Sequence, residues 1–578
     1  MTAQKLASQR AALGVRIDQA LGDAPADLVI RNARVLDLTG GTPPGETSPG
    51  DVAICGERIV GIADSYRGVR EIDAGGRFVV PGFIDSHLHC ESTLVTPLEF
   101  DRCVLPRGTT TAICDPHEIC NVLGPEGLEY FLAAADRTIM DLRVQLSSCV
   151  PATHLETAGA TLSAADLVRY RDNRHVIGLA EFMNFPGLLA KDPDCLDKIA
   201  AFQGAHIDGH APLLSGKRLN AYLACGIRNC HETSSLAEGR EKLAKGMQVL
   251  IRSGTVAKDI EALAPLISDF ASPFLGFCTD DRNPLDIAED GHMDYLVRRA
   301  IGLGAPVVAT YRAASWSAAR GFGLRDRGLV APGYLADVLI LDDLESCRVL
   351  QVIRRGQPVS AESFSERPPL AMPGGNTMRR GLVRAEDFAV PASGPGTPVI
   401  GVTRGKIVTE RRQADLPYRD GLRHADPERD LLKVAVLERH GKNGNIGRGF
   451  VQGFGIRDGA LASSVGHDSH NICVLGDSDA DMALATNRLI AMGGGFVAVS
   501  GGEVLAELAL PIAGLMSDQP FETVTHKLEL LRAAVLSMGS VLDEPFVQLA
   551  FLALPVIPHL KITDLGLVDV DRFELIMD

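Results

Sequence analysis

Eight apolar segments of strand length recur between residues 78 and 280, and several run directly into a histidine or an acidic residue. In order they are Phe78–Asp85, Thr109–Asp115, Arg143–Cys149, Val176–Glu181, Ala205–His210, Ile227–His231, Gln248–Ile251 and Leu275–Asp280. The stretches between them carry helical spacing, as in 127–135 and 218–225. Eight strand-then-helix units predict a closed (β/α)8 barrel, a fold that keeps its chemistry at the C-terminal ends of its strands. His87 and His89 follow the first segment, Glu181 ends the fourth, His210 the fifth, His231 the sixth and Asp280 the eighth. Every candidate ligand therefore falls on one face.

Side chains two apart on a strand point the same way, so His87 and His89 present two imidazoles together while Leu88 turns aside. A mixed set of imidazoles and carboxylates at an open site suits Zn, Mn or Fe. In the fifth segment two histidines compete: His210, in Asp208-Gly209-His210-Ala211-Pro212, is the favoured ligand, and His206 reads as a supporting or core histidine. Asp280, directly after its strand, is favoured over Asp281 as the catalytic aspartate, with Arg282 a salt partner for that loop. Glu232, beside His231, either orients an imidazole or touches substrate. Asp115, His117 and Glu118 lie at the tip of the second strand, where Pro116 fits a structural turn equally well. The run His467-Asp468-Ser469-His470-Asn471 suits a third metal, a contact to substrate across the barrel mouth, or an Asx-stabilised turn.

The flanks have a different character. Alternating segments at 26–37 and 51–62 predict short hairpin strands, and 328–341 returns to the same pattern, so both chain flanks are expected to meet in one small β domain. The stretch Pro391–Pro398 has linker composition. The expected organisation is an N-terminal helical segment (1–25), a small β-sandwich domain (26–77 plus 325–395), the barrel (78–324) and a C-terminal α/β domain (396–578). With 57 Lys and Arg against 73 Asp and Glu, the net charge of −16 argues against nucleic acid and anionic membrane as partners. The 12 cysteines show no disulfide or zinc-ribbon spacing, which fits a reducing compartment. The first residues lack the apolar core of a signal peptide, and no apolar run is long enough to span a bilayer, so a cytoplasmic location is expected.

Two motifs carry a resemblance: Val-Val-Pro-Gly-Phe-Ile-Asp-Ser-His-Leu-His at 79–89 and Gly-Leu-Val-Ala-Pro-Gly-Tyr-Leu-Ala-Asp-Val-Leu-Ile-Leu at 328–341. On these the chain resembles the amidohydrolase superfamily. Within it, the pattern is similar to the bacterial adenine deaminase family through His87-Leu88-His89-Cys90-Glu91-Ser92, Asp115-Pro116-His117-Glu118, Asp208-Gly209-His210-Ala211-Pro212, Cys230-His231-Glu232, Cys278-Thr279-Asp280-Asp281-Arg282 and His467–Asn471.

The resemblance implies a metal-dependent barrel holding two divalent ions, manganese or iron with zinc as an alternative. Glu181 would stand where many relatives carry a bridging carboxylated lysine. The implied reaction is hydrolysis of adenine to hypoxanthine and ammonia by a hydroxide between the metals. Glu181 and Asp280 would be proton carriers and His231 would support charge. Glu91, Ser92, Asp115, His117, Glu118, Glu232, His467, Asp468 and His470 are the candidate substrate contacts, and a homodimer or larger assembly is expected. Rival readings are a related hydrolase of a cyclic amide or another nucleobase, and an inactive scaffold. The absence of lysine at 181 and the presence of every ligand weigh against them.

Overall fold

The computed structural model describes residues 3–42, 47–365, 367–368, 370–392 and 396–576. Its centre is a ring of eight parallel strands: β1 (Phe83–Leu88), β2 (Thr109–Cys114), β3 (Asp141–Leu146), β4 (Val176–Phe182), β5 (His206–Gly209), β6 (Asn229–Cys230), β7 (Gln248–Arg252) and β8 (Leu275–Cys278). Ladders run β1 to β5 and β6 to β8. Two joints complete the ring. Arg228 N–H donates to Ile207 O at 3.3 Å between β5 and β6, and Asp280 N–H donates to His87 O at 3.0 Å between β8 and β1. Strands covered on both faces read as unbroken apolar or small-residue runs, and β2, Thr-Thr-Thr-Ala-Ile-Cys, is buried throughout. Helices return the chain from strand to strand with ordinary start signals: Asp192 accepts from Cys195 N–H and is followed by Pro193 at the head of the helix Pro193–Ala201.

The first apolar segment divides where the sequence suggests one strand. Phe78–Pro81 pairs antiparallel with Val338–Leu341, while β1 begins at Phe83 and pairs with β2. Gly82 is the crossing point: its N–H donates to Asp337 O at 2.8 Å, and a Cβ there would stand 2.2 Å from Thr110 Oγ1. The strands of the two flanks form one continuous eight-stranded sheet, ordered Gln357–Pro358, Val349–Arg354, Val338–Leu341, Phe78–Pro81, Ala26–Leu36, Thr47–Cys55 and Arg58–Ala63, with Gly68–Asp73 also on Ala26–Leu36. Leu28, Ile30, Ile54, Val79, Val338 and Ile353 share its core.

A third body follows. Its sheet runs Glu410–Ala414, Thr397–Gly401, Ile446–Gln452, Leu431–Leu437, Ile472–Gly476, Ala460–Ser463, Gly495–Ser500 and Glu503–Ala509, with helices Asp479–Ala491 and Phe521–Ser537 packed on it. Of the proposed linker, 393–395 lie outside the described residues; Pro391 closes one strand and Thr397 opens the next. Among the described residues no helix is long and apolar enough to cross a membrane.

This third body docks on the side of the barrel where the strands end. The loop after β3 receives it: Ser469 Oγ donates to Glu156 Oε2 (2.5 Å), Asn471 Nδ2 to Thr157 O (2.9 Å) and Thr563 Oγ1 to Leu155 O (2.7 Å). Beneath these polar ties one apolar core runs through both bodies, including Leu94 and Phe100 with Leu475, Leu531 and Leu552.

His440 is buried near this joint and its Nε2–H donates to Ser469 O at 2.7 Å. Burial, followed by the adjacent Arg439 guanidinium, pushes its pKa down to about 3. An unfolded histidine titrates near 6.5, so between the two values the unfolded chain binds more protons than the folded one. The contribution of His440 is therefore intact above about 6.5 and lost as the pH falls toward the folded value. Melting temperatures measured across that window should fall less steeply for His440→Gln than for the parent protein.

Candidate active site

The barrel's geometry brings six side chains to one point. β1 delivers His87 and His89 with Leu88 turned into the wall, and their Nε2 atoms stand 3.2 Å apart. His89 Nδ1 pairs with Asp115 O at 2.9 Å, the bond that orients a ligating imidazole and leaves Nε2 facing the cleft. Asp280 lies just past β8 with φ +54°, a left-handed turn that swings its carboxylate inward. Asp280 Oδ1 is 3.5 Å from His87 Nε2 and 3.3 Å from His89 Nε2. Glu181, on β4, sets Oε1 at 3.5 and 3.2 Å from the same two nitrogens. Its other oxygen, Oε2, faces His210 Nδ1 at 2.6 Å and His231 Nε2 at 3.2 Å.

All six are buried. Burial alone would raise the Glu181 carboxyl, but His231, His87 and the bond from His210 outweigh it and hold the group well below the usual range. Asp280 behaves likewise: burial raises it, and bonds to His87 and His89 with the nearby Arg252 guanidinium bring it well down. Two ionised carboxylates facing four imidazoles out of water make a donor set for cations. Four ligand-type atoms crowd within 3.2–3.5 Å contacts around His87 and His89, while His210 Nε2 and His231 Nδ1 are buried without a hydrogen-bond partner. The residues present fit divalent metal ions.

The alternatives left open by the sequence separate clearly in space. His206 starts β5 and pairs with Asp208 Oδ1 at 2.6 Å, away from Glu181. Asp281 accepts from Ser92 Oγ at 2.5 Å and lines the same cleft, where Asp280, His467 and His89 act on its charge, while the 3.3–3.5 Å contacts to the β1 histidines belong to Asp280. Arg282 braces its loop mainly through carbonyls, donating to Gly291 O, Ser253 O and Asp286 O at 3.1–3.2 Å, with Asp290 at 3.7 Å.

His117, Glu118, Glu232, His467 and Asp468 line the cleft together with His89, Glu181, His210, His231 and Asp280. Glu118 Oε1 is 2.8 Å from His467 Nδ1, and its Oε2 contacts His470 Nε2. Burial would raise this carboxyl too, but the two histidines hold it well below its ordinary value; burial alone would lower His467, and the Glu118 carboxylate, followed by Asp281, overrides it and carries the imidazole up to about 9. His470 thus sits behind Glu118. Asp115 also stands behind, accepting from Ser147 Oγ at 2.7 Å and pairing with His117 Nδ1 at 3.0 Å. Glu91 is farther back, accepting from Ile119 N–H at 3.1 Å, and burial pushes it up to about 8. Ser92 opens onto an adjoining pocket shared with His467 and Asp281.

Several contributors were not read from the sequence, among them one buried arginine and part of the apolar lining. Arg252 ends β7, donates to Asp280 Oδ2 at 2.8 Å and Glu232 Oε2 at 3.0 Å, and meets Asp259 Oδ2 at 2.8 Å. A charged residue closing an apolar strand at ligand level was its available signal. Ile407, Phe551 and Ile557 roof the cleft from the third body, and no local pattern marks them.

Residues 78–359 match the profile of the amidohydrolase family, and residues 406–574 that of the adenine deaminase C-terminal domain. The adenine deaminase of Methylobacterium nodulans is 60% identical over 562 residues, covering 97% of this chain and 99% of that protein. That of Gluconobacter oxydans is 60% identical over 556 residues, covering 96% and 98%. Adenine deaminase 1 of Agrobacterium fabrum is 59% identical over 561 residues, covering 97% of each.

Competition with a chromogenic chelator tests the arrangement around Asp280. Arg252→Gln removes the partner behind a ligand and should weaken divalent-cation binding by about 10- to 100-fold. Asp280→Asn should weaken it at least as much, and Asp281→Asn should stay near the parent value.

Proposed function

Because the chain belongs to the adenine deaminases of the amidohydrolase family, and so hydrolyses adenine to hypoxanthine and ammonia, we propose that Glu181 would serve as a ligand shared by two divalent cations. His87, His89 and Asp280 would hold one with it, and His210 and His231 would hold the other. The observation that carries this reading is the division of the Glu181 carboxylate, Oε1 toward the β1 histidines and Oε2 toward His210 and His231. When bound, such ions supply activated water at neutral pH, and manganese or iron suits the donor set, with zinc compatible.

The side chains then manage protons and orientation. Replacing the C6 amino group by oxygen requires the neighbouring ring nitrogen to gain a proton as C6 becomes tetrahedral, and the departing amine to gain another. Asp280 and Glu181 are the carriers in this reading, with His231 supporting charge at the reacting centre. Arg252 holds Asp280 by Oδ2 and keeps Oδ1 directed into the cleft. Glu118, His467 and Asp468, with His117 and Glu232, offer donors and acceptors to the purine edge. Asp115, Glu91, Ser92 and His470 act from behind, by holding His117, the β2 loop, Asp281 and Glu118. The third body, closing over this face, excludes water and leaves little room for a sugar on N9. The same reading carries a homodimer or larger assembly in the cytoplasm.

Ammonia release from adenine, adenosine, guanine and a hydantoin tests the specificity: adenine should be turned over and adenosine should be poor. Glu181→Gln and Asp280→Asn should lose roughly 10²-fold or more in rate, with metal content measured alongside. A crippled Asp281→Asn beside a nearly normal Asp280→Asn would reverse the assignment of the aspartate. His467→Ala with His470→Ala should raise KM for adenine or lower kcat while both cations remain bound, and unchanged kinetics would reduce that motif to a structural turn.

A further inference from the structure

The roof of the cleft is irregular chain. Ile407 lies in a turn at 402–409, and Phe551 and Ile557 belong to a short helical turn and the loop after it, so no strand ladder fixes these side chains. Phe551 stacks on His467 with ring centroids 4.5 Å apart and planes at 25°. Ile407 and Ile557 face two spaces at once. They line the metal cleft, and with Glu232 and Arg252 they also line an outer cavity of about 1050 Å³ between barrel and third body. These two residues thus stand between an antechamber and the reacting centre.

One side chain ties the two roof segments together. Lys561, on the strand Leu560–Thr563, is fully buried, and its Nζ donates to Ile407 O and to Phe551 O, each at 2.9 Å. Among the described residues no carboxylate pairs with it, and burial pushes its pKa down to about 7. A buried amine without a counter-charge opposes folding, and an apolar side chain of similar length would fill the space at lower cost. What methionine would lack is the pair of donors that register two distant backbones against each other. The other ties lie at the margins of the segments: Gln548 Nε2 to Lys406 O (2.9 Å), Thr409 N–H to Pro558 O (3.0 Å), His559 N–H to Thr409 Oγ1 (3.3 Å) and Thr409 Oγ1 to Leu560 O (2.8 Å).

The geometry points to Lys561 as a positioning residue: by pinning the backbones of Ile407 and Phe551 it sets the height of the gate between antechamber and cleft, and so excludes purines substituted at N9. This rests on the assignment of the cleft as the adenine site. The role is selectivity, and Lys561 touches neither metal ligands nor the purine.

The holoenzyme carrying Lys561→Met, a near-isosteric change without donors, tests it with adenine and 9-methyladenine. The expected result is retained metal content, a KM for adenine raised about tenfold with kcat within threefold, and a ratio of 9-methyladenine to adenine turnover raised at least tenfold. Lys561→Arg, which keeps donors, should hold the parent ratio. An unchanged ratio and KM in a folded Lys561→Met would overturn the proposal. Should that variant fail to fold, hydrogen exchange of Lys561→Gln holoenzyme, whose amide is too short to span both carbonyls, reads the same contact. Faster exchange confined to 403–409 and 551–557, with a raised ratio, supports the clamp, and parent-like exchange or ratio overturns it. A parent enzyme releasing no ammonia from adenine would instead refute the function itself.

Discussion

The site is organised by one carboxylate that two groups of imidazoles share. Glu181 leaves β4 at the centre of the ring, and its two oxygens face opposite clusters at 2.6–3.5 Å. Such closeness is tolerable only where the charges balance, because a buried anion without compensation is strongly disfavoured. The histidines on β1, β5 and β6 supply that balance in the polypeptide, and cations supply it in an active amidohydrolase. The barrel is closed at the same level: the hydrogen bond from Asp280 N–H to His87 O joins β8 to β1 through two residues of the cluster. Closing the ring and gathering the ligands are a single structural event.

A shell of bonds behind the ligands stops each side chain from drifting. Asp115 O fixes the His89 ring, and Arg252 fixes Asp280 and Glu232. Outside that shell, the third body contributes little to the six-residue cluster and much to the space above it, where Glu118 connects the β2 loop to His467 and His470. Its sheet provides support, while its irregular segments at 402–409 and 551–557 roof the cleft.

What the sequence discloses follows from how each residue gets to the site. The barrel strands are legible because burial on both faces writes continuous apolar runs, and His87 and His89 because period-two alternation brings them together locally. Asp280 is legible as the end of an apolar segment. The break at Gly82 is hidden, since Phe78–Pro81 and Phe83–Leu88 are both apolar and only their pairing partners, about 260 and 26 residues away, distinguish them. Arg252 escapes notice because a terminal arginine resembles a solvated strand end until Glu232, Asp259 and Asp280 are seen around it. Ile407, Phe551 and Lys561 reach the site only through contacts between distant segments, which no local period records.

The sheet that brackets the barrel has a consequence for synthesis. Its strands come from 26–81 and 338–358, so the earliest part made cannot complete its hydrogen bonding until the whole barrel has left the ribosome. Ala26–Leu36, Thr47–Cys55 and Phe78–Pro81 emerge first, and the edge of Phe78–Pro81 that Val338–Leu341 will cover stays open throughout. At roughly 5–20 residues per second the wait lasts on the order of tens of seconds. A nascent chain of this design carries an apolar strand with one open edge while the barrel is being made, a liability for aggregation that chaperones holding that segment would relieve.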